Sequence, residues 1–156
     1  MRKLFGILLL LIVVNISKAQ NYNVEAYKIH QSIVEAQQNI GKEVYEFNAS
    51  ATALNLKILK FEINRSIAFI DSLKINKDDS TYYQAAKQLF SLYKDLTEHE
   101  YADLLKIVED PDLEYKDFKA KKIKIYDAMK AKSAAVYPIF NAAQESYCKK
   151  YKLKIE

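Results

Sequence analysis

The clearest chemical cluster in this chain is formed by Asp95, His99 and Glu100. Asp95 and His99 are four positions apart, so a helix places them on one face, and Glu100 stands at an inward step. Helical bundles hold di-iron sites through Glu residues and Glu-x-x-His pairs, but no Glu lies three positions before His30 or His99. Because this motif is lacking, a bundle protein that binds a metal or small ligand in its core is only the alternative function. An enzyme that uses the same three residues is the catalytic version of that alternative.

Nucleophilic and phosphate-binding chemistry has little material in this sequence. The chain contains two His, one Cys and two Gly, so no glycine-rich phosphate loop can be written and a Cys-His pairing would be accidental. Cys148 cannot form an internal disulfide, and we expect a buried small residue, with an intermolecular disulfide as the alternative. The sequence therefore predicts a non-catalytic protein with no cofactor and no metal site.

Tyrosine is the unusual component, with twelve residues and no Trp. Tyr83, Tyr101, Tyr126 and Tyr137 fall off the main apolar stripes of their helices, and exposed tyrosines are favoured in binding surfaces. The alternative is packing at helix edges, because Tyr readily straddles a boundary between core and solvent. Together with Pro138, where a helix is expected to bend, these four tyrosines form the candidate interaction surface.

The elements that position these residues are read from apolar stripes at steps of three and four. The stripes predict helices at Tyr22 to Asn48, Ala53 to Asn76, Ser80 to Val108 and Leu113 to Lys152. With two Gly and two Pro in the chain, the many turns of a β-rich fold are not available. The predicted fold is all-α, an antiparallel up-down four-helix bundle with a long fourth helix.

Three local features bear on the helix boundaries. Thr81 and Gln84 have the spacing of a capping box at the start of the third helix. A break is expected between Asn48 and Thr52, with one continuous helix as the alternative. Pro138 cannot donate to a carbonyl of the preceding turn, so the fourth helix should kink, either to wrap around the core or to free a carbonyl at a pocket.

The first residues have the pattern of a secretory signal peptide. Arg2 and Lys3 precede an apolar run from Leu4 to Val14, and small residues flank Lys18 before Gln20. We expect cleavage after residue 19, a single four-helix domain at 20–156, and a periplasmic or cell-surface location. A retained membrane anchor is the alternative, but the run is shorter than the roughly 20 residues that span a bilayer. No membrane span is expected after cleavage.

The distribution of charge argues against nucleic acid as a partner and suggests an anionic partner as an alternative. Three of the 24 basic residues and none of the 20 acids precede Gln20, so cleavage lowers the formal charge from +4 to +1, which argues against nucleic-acid binding. Acids are concentrated between Asp95 and Asp117, and lysines follow Phe118. The expected result is a pair of complementary helix flanks, and a basic surface for an anionic partner is the alternative. The residues expected to face one another are Glu98, Glu100 and Asp103 on one side and Lys119, Lys121, Lys122 and Lys124 on the other.

Several stretches resemble small exported proteins of the leptospiral surface-protein type, which occur in bacteria with an outer membrane. These stretches are YKIHQSIVEAQQNI, DDSTYYQAAKQLFSLYKD and the ending FNAAQESYCKKYKLKIE. The chain departs from that family at Lys77, where a Gly is common, and at Cys148, where a small residue is usual. The resemblance implies a four-helix fold and export, and it assigns no activity and no functional residues. The expected function is an exported module that binds an unknown protein, an envelope component or a small ligand.

Overall fold

The computed structural model describes residues 23–74 and 79–153, and all structural statements concern those ranges. The described chain is helical without a strand, which confirms the all-α prediction. Its helices are α1 (Val24–Ala49), α2 (Ala53–Ser72), α3 (Ser80–Glu98), α4 (Glu100–Glu109) and α5 (Tyr115–Tyr151). The predicted signal peptide and its cleavage site lie outside the described residues. Among the described helices, none is both long enough and apolar enough to cross a membrane.

The break between the first two helices lies where it is predicted. α1 ends at Ala49, and Thr52 caps α2 by accepting a hydrogen bond from the Asn55 amide at 3.1 Å. The Asn55 side chain donates in turn to the Ser50 carbonyl at 2.7 Å. Because these polar groups satisfy the ends of both helices, the alternative of one continuous helix is wrong.

The predicted third helix is interrupted at His99, so one uninterrupted helix from Ser80 to Val108 is wrong. His99 has φ −117° and ψ −81°, yet its amide still bonds the Asp95 carbonyl at 3.1 Å and its carbonyl accepts from the Asp103 amide at 2.8 Å. The apolar stripe continues across this residue, which is why periodicity does not reveal the interruption. α4 is the short helix that results.

The capping box predicted from Thr81 and Gln84 is also wrong. Asp79 occupies the N-cap position of α3 and makes no side-chain capping bond. Its carboxylate instead accepts hydrogen bonds from Lys150 at 2.7 Å and from the Tyr151 hydroxyl at 2.8 and 2.9 Å. The acid before α3 therefore ties the start of that helix to the end of α5.

The core consists largely of the predicted stripes of the first three helices. α2 packs against α1 and α3, and α5 packs against α3 and α4. Phe47, Leu59, Leu89 and Phe90 are among the side chains with almost no exposure. The predicted stripe of α5 is buried only in its last third, at Phe140, Ala143, Tyr147 and the adjoining Cys148. Tyr115, which the stripe predicts inside, is 79% exposed.

Candidate functional site

The Asp95, His99 and Glu100 cluster contains a cation supplied by the chain itself. Lys132 of α5 donates to Asp95 at 2.6 Å and to Glu100 at 2.8 and 3.0 Å. Glu100 is buried, whereas the His99 side chain is 62% exposed and lies 3.4 Å from Asp95. The hydrogen bonds that Lys132 donates to Asp95 and Glu100 raise the pKa of Lys132, so the ammonium stays charged between the two carboxylates.

This arrangement disfavours the binding of a metal ion at the break between α3 and α4. The ammonium already supplies positive charge at the point where the two carboxylates converge, and a bound metal would have to displace it. Across the described ranges, no group of three or more His, Cys, Asp or Glu side chains is placed to hold a metal ion. The cluster joins α5 to α3 and α4 as a local ion-pair network.

A second cluster, at the other end of the fold, brings together the only cysteine and one of the two histidines. The Cys148 sulfur lies 3.7 Å from Nε2 and 3.9 Å from Nδ1 of His30, and Nδ1 is 2.9 Å from the Tyr82 hydroxyl. All three side chains are buried. Sequence reasoning treats a Cys-His pairing as accidental, and no signal in the spacing of these residues reveals the contact.

Burial sets the protonation state of this second cluster. It raises the pKa of Cys148 to about 11 and lowers the pKa of His30. Burial also raises the pKa of Tyr82, whose hydroxyl therefore keeps its proton and can donate it to Nδ1. A neutral thiol beside a neutral imidazole is a packed structural contact, since a nucleophilic cysteine requires a thiolate. The expectation that Cys148 is buried is confirmed.

The candidate tyrosines are divided between two places. Tyr101 is 7% exposed and packs edge-to-face on Phe47 with ring centroids 5.3 Å apart, so its placement off the core stripe is wrong. Tyr137 and Tyr126 are half-buried and both act electrostatically on Tyr101. The Tyr137 hydroxyl donates to the Tyr93 hydroxyl at 3.3 Å. Three of the four candidates are thus covered at least in part, Tyr101 in the core and Tyr126 and Tyr137 packed against it.

The remaining candidates are Tyr83 on α3 and Pro138, which directly follows Tyr137 on α5. Tyr83 lies beneath the ammonium of Lys87, 5.5 Å from its ring centroid, and Lys87 pairs with Asp71 of α2 at 2.6 Å. Pro138 is an exposed residue within α5, which continues as a helix on both sides of it. Tyr83, Tyr126, Tyr137 and Pro138 as an interaction surface stay a prediction.

The predicted charge complementarity between the last helices is wrong in its register. None of the lysines from 119 to 124 forms an ion pair with Glu98, Glu100 or Asp103 among the described residues. Glu100 is met by Lys132, eight positions or about 12 Å of helix beyond Lys124. Glu98 and Asp103 pair with lysines of their own helices instead.

Sequence reasoning missed a row of apolar side chains on the outward side of α2, here called the α2 row. Its members are exposed, and their exposed fractions are 65% for Leu54, 40% for Ile58, 67% for Phe61 and 43% for Phe69. Leu54, Ile58 and Phe61 follow at steps of four and three, which align them along one side of the helix. The inward side of the same helix buries its own set, Leu56, Leu59, Ile63 and Ile70. A helix that is apolar on two opposite sides was the available signal.

Arg65 lies within the α2 row at helical spacing and Lys57 lies beside the row, whereas Lys60 is about 140° around the helix from it. Lys57 and Lys60 take part in no ion pair within the described part of the chain. Arg65 has a side chain 59% exposed and bonds Glu62 at 2.7 Å, which leaves most of its guanidinium facing solvent. Glu62 itself is buried. The outward side of α2 is therefore apolar and basic.

A shallow groove of about 560 Å³ lies between α3 and α5. Small and uncharged side chains line it, among them Thr81, Gln84, Ile139 and Ala142. The groove is open to solvent and adjoins Pro138, but no charged group converges on it to orient a ligand. A specific small-ligand site normally combines an enclosed apolar cavity with a few convergent polar groups.

Comparison with known proteins adds no assignment to this geometry. No protein-family model matches the chain, no curated protein matches it, and no solved structure matches it. The resemblance to the leptospiral surface proteins therefore stays a prediction from the sequence. The function has to be argued from the contacts and exposures of the chain itself.

Proposed function

We propose that this chain is an exported, non-catalytic binding module whose binding surface is the outward side of α2. The observation that carries the proposal is the α2 row, four large apolar side chains exposed along one side of one helix. Single exposed apolar residues are ordinary, whereas an aligned group marks an interaction site more often than chance. Aromatic side chains such as Phe61 are the residues that contribute most to such contacts.

The non-catalytic part of the proposal rests on the state of the two chemical clusters. Asp95 and Glu100 share the ammonium of Lys132, and Cys148 is a protonated thiol beside neutral His30. A catalytic site needs a nucleophile, a base or a metal set poised for reaction. Neither cluster offers such a group, so we assign the acidic, cysteine and histidine side chains of both clusters to contacts between helices.

Export is proposed from the sequence pattern before Gln20. The charged start, the apolar run and the small residues at the cleavage position together favour a periplasmic or cell-surface location. Intact mass of the protein secreted by a bacterial host tests this part. A product that begins at Gln20 supports it, and a product that retains residues 1–19 contradicts it.

We propose further that the helices alternate in direction as an antiparallel up-down bundle with a bend at Pro138. Three contacts support this arrangement: Lys87 with Asp71, Tyr137 with Tyr93, and Lys150 with Asp79. From the start of α3 onwards, Asp79 and then Tyr93 contact Lys150 and then the earlier Tyr137 of α5, so these two helices run in opposite directions. Lys87, near the start of α3, contacts Asp71 at the end of α2. A zero-length carbodiimide should cross-link Lys87 to Asp71 and Lys150 to Asp79. Absence of both products in the folded protein would contradict the arrangement.

Native isolation from the source organism tests the binding function against the metal alternative. We expect material without stoichiometric metal, carrying a bound component that Phe61→Ser releases. The matched control is Tyr115→Ser, which removes an aromatic ring with comparable exposure from α5. Stoichiometric metal that is lost in His99→Ala would overturn the proposal, as would a component released equally by both serine variants.

A further inference from the structure

We infer that the α2 row docks on an anionic lipid surface. This inference rests on the proposed function, because it identifies what the outward side of α2 binds.

The shape of the row suits a broad apolar medium better than a bound small molecule. Leu54 and Phe61 are each about two thirds exposed, so their side chains project from the helix and line no depression. The row from Leu54 to Phe69 is about 22 Å long at 1.5 Å per residue. A helix of this kind, lying in the plane of a membrane, buries its apolar side chains at the boundary between headgroups and acyl chains.

The charges beside the row favour an anionic surface. α2 contains two acids, and both are already paired: Glu62 with Arg65 at 2.7 Å and Asp71 with Lys87 at 2.6 Å. Lys57, which flanks the row, forms no such pair in the described ranges. Lysines that flank an inserted apolar face add attraction to anionic headgroups, and they are held at the surface by their flexible stems.

A second copy of the chain fits this surface less well. In an antiparallel two-fold pairing of α2 centred on Phe61, Arg65 of one copy would stand opposite Lys57 of the other, because the two residues are equally distant from position 61. Like charges would therefore meet twice across such an interface. An anionic bilayer presents the opposite charge at every position and requires no register.

Vesicle co-sedimentation of the exported, processed protein tests the inference. We expect binding to vesicles of phosphatidylglycerol and little binding to vesicles of phosphatidylcholine. Raising the salt from 0.1 M to 0.5 M shortens the Debye length from about 10 Å to about 4 Å and should weaken the binding several-fold. Leu54→Ser with Phe61→Ser should lower the partition coefficient about tenfold or more, since two apolar insertions are removed. Lys57→Gln should lower it by about fivefold or less on anionic vesicles only.

The control is a double variant of α5, Tyr115→Ser with Lys121→Gln, which changes the same kinds of side chain away from α2. Circular dichroism establishes that each variant is folded, as expected for exposed positions. Equal binding to both kinds of vesicle, or equal loss in the α2 and α5 variants, overturns the inference. A solution mass from analytical ultracentrifugation that corresponds to a dimer for the wild type and to a monomer for the α2 variants also overturns it, because it would identify a second copy as the occupant.

The same variants separate this inference from the proposed function. If vesicles are not bound but Phe61→Ser still releases a protein from the natively isolated material, the lipid inference fails and the binding function stands. If neither vesicles nor native material responds to substitution in the α2 row, both fail.

Discussion

α2 and α5 both expose apolar side chains, but they do so for different reasons. On α5, Tyr115, Ile123 and Ile139 are exposed singly, eight and sixteen positions apart, among lysines and alanines. On α2, Leu54, Ile58 and Phe61 are exposed together along one side of a helix whose opposite side is fully packed. The apolar side chains of α5 are exposed because few neighbouring helices are available to cover that part of α5. Those of α2 are exposed although the opposite side of α2 is already packed in the core.

Burial along α5 supports that distinction. No residue from Tyr115 to Ile139 is fully buried, and its inward row, including Ile125 and Met129, is half-buried against the core. Polar contacts such as Lys132 with Glu100 hold this part of the helix. Exposed apolar groups are therefore informative only when the packing around them shows that the fold does not require them.

The largest expected effect comes from two substitutions on opposite sides of α2. Leu59→Asp places an unpaired charge at a position with no exposure, and we expect it to cost more than about 4 kcal/mol and to unfold the protein. Phe61→Asp lies on the α2 row and should change the free energy of unfolding by about 0.5 kcal/mol or less. Chemical denaturation followed by circular dichroism measures both. Equal destabilisation would mean that the α2 row belongs to the core.

The helical content, the break near Ser50 and most of the core could be predicted because they depend on local periodicity and capping chemistry. The interruption at His99 could not, since the apolar stripe continues across it. Thr81 does not cap α3, because the N-cap position is occupied by Asp79. Asp79 is in turn bound by Lys150, more than seventy positions away. Tertiary contacts of this kind leave no periodic trace.

The candidate site was harder to predict than the fold for a related reason. A position off the apolar stripe of its helix predicts that Tyr101 is exposed, yet Phe47 from another helix packs against it. Phe61 is as apolar as the inward residues of α2, yet it faces solvent. Which side of a doubly apolar helix is covered depends on how many neighbours the fold supplies, and the sequence of that helix alone does not contain this information.

The tyrosines that join α3 to α5 give the next largest effect, at alkaline pH. Burial raises the pKa of Tyr82, Tyr93 and Tyr147 above the ordinary value of 10.0. The unfolded chain then loses protons above pH 10 while the folded chain keeps them, so stability is intact below pH 10 and falls as the pH rises beyond it. Each group contributes about 1.4 kcal/mol per pH unit to that fall.

Denaturation between pH 9 and pH 11, with absorbance of ionised tyrosine near 295 nm, checks this expectation. Tyr93→Phe should make the pH dependence shallower, whereas Phe at the exposed Tyr45 should leave it unchanged. If Tyr93→Phe has no influence on the slope, the account of how α5 is held to α3 is wrong.

A smaller effect is expected from the ion pairs of the half-exposed part of α5. Lys132→Met leaves buried Glu100 without its cation, and we expect a cost of about 1 to 2 kcal/mol, moderated because Lys132 is partly solvated. Lys106→Met removes an exposed pair with Asp103 and should cost about 0.5 kcal/mol or less. Thermal unfolding of both variants compares them. A larger cost for Lys106→Met would contradict the assignment of Lys132 as the link between helices.

The smallest effect concerns the buried end of α5, at acid pH. Burial lowers the pKa of His30 below its ordinary 6.5, so the unfolded chain takes up a proton that the folded chain does not. Stability from this group is present above pH 6.5 and is lost as the pH falls through the lowered value. His30→Gln should remove that part of the acid sensitivity, measured as the change in melting temperature from pH 7 to pH 5. His99→Gln, at an exposed site, is the control that should not.

The most direct test of the central claim is site-specific photo-crosslinking in the source organism. A photoreactive phenylalanine at Phe61 should give abundant adducts, with lipid if the further inference holds or with a partner protein if only the binding function does. The same group at Tyr115, an exposed aromatic position of α5, should give few. Adducts of equal yield at both positions, or at Tyr115 alone, would contradict the claim that the outward side of α2 is the binding surface.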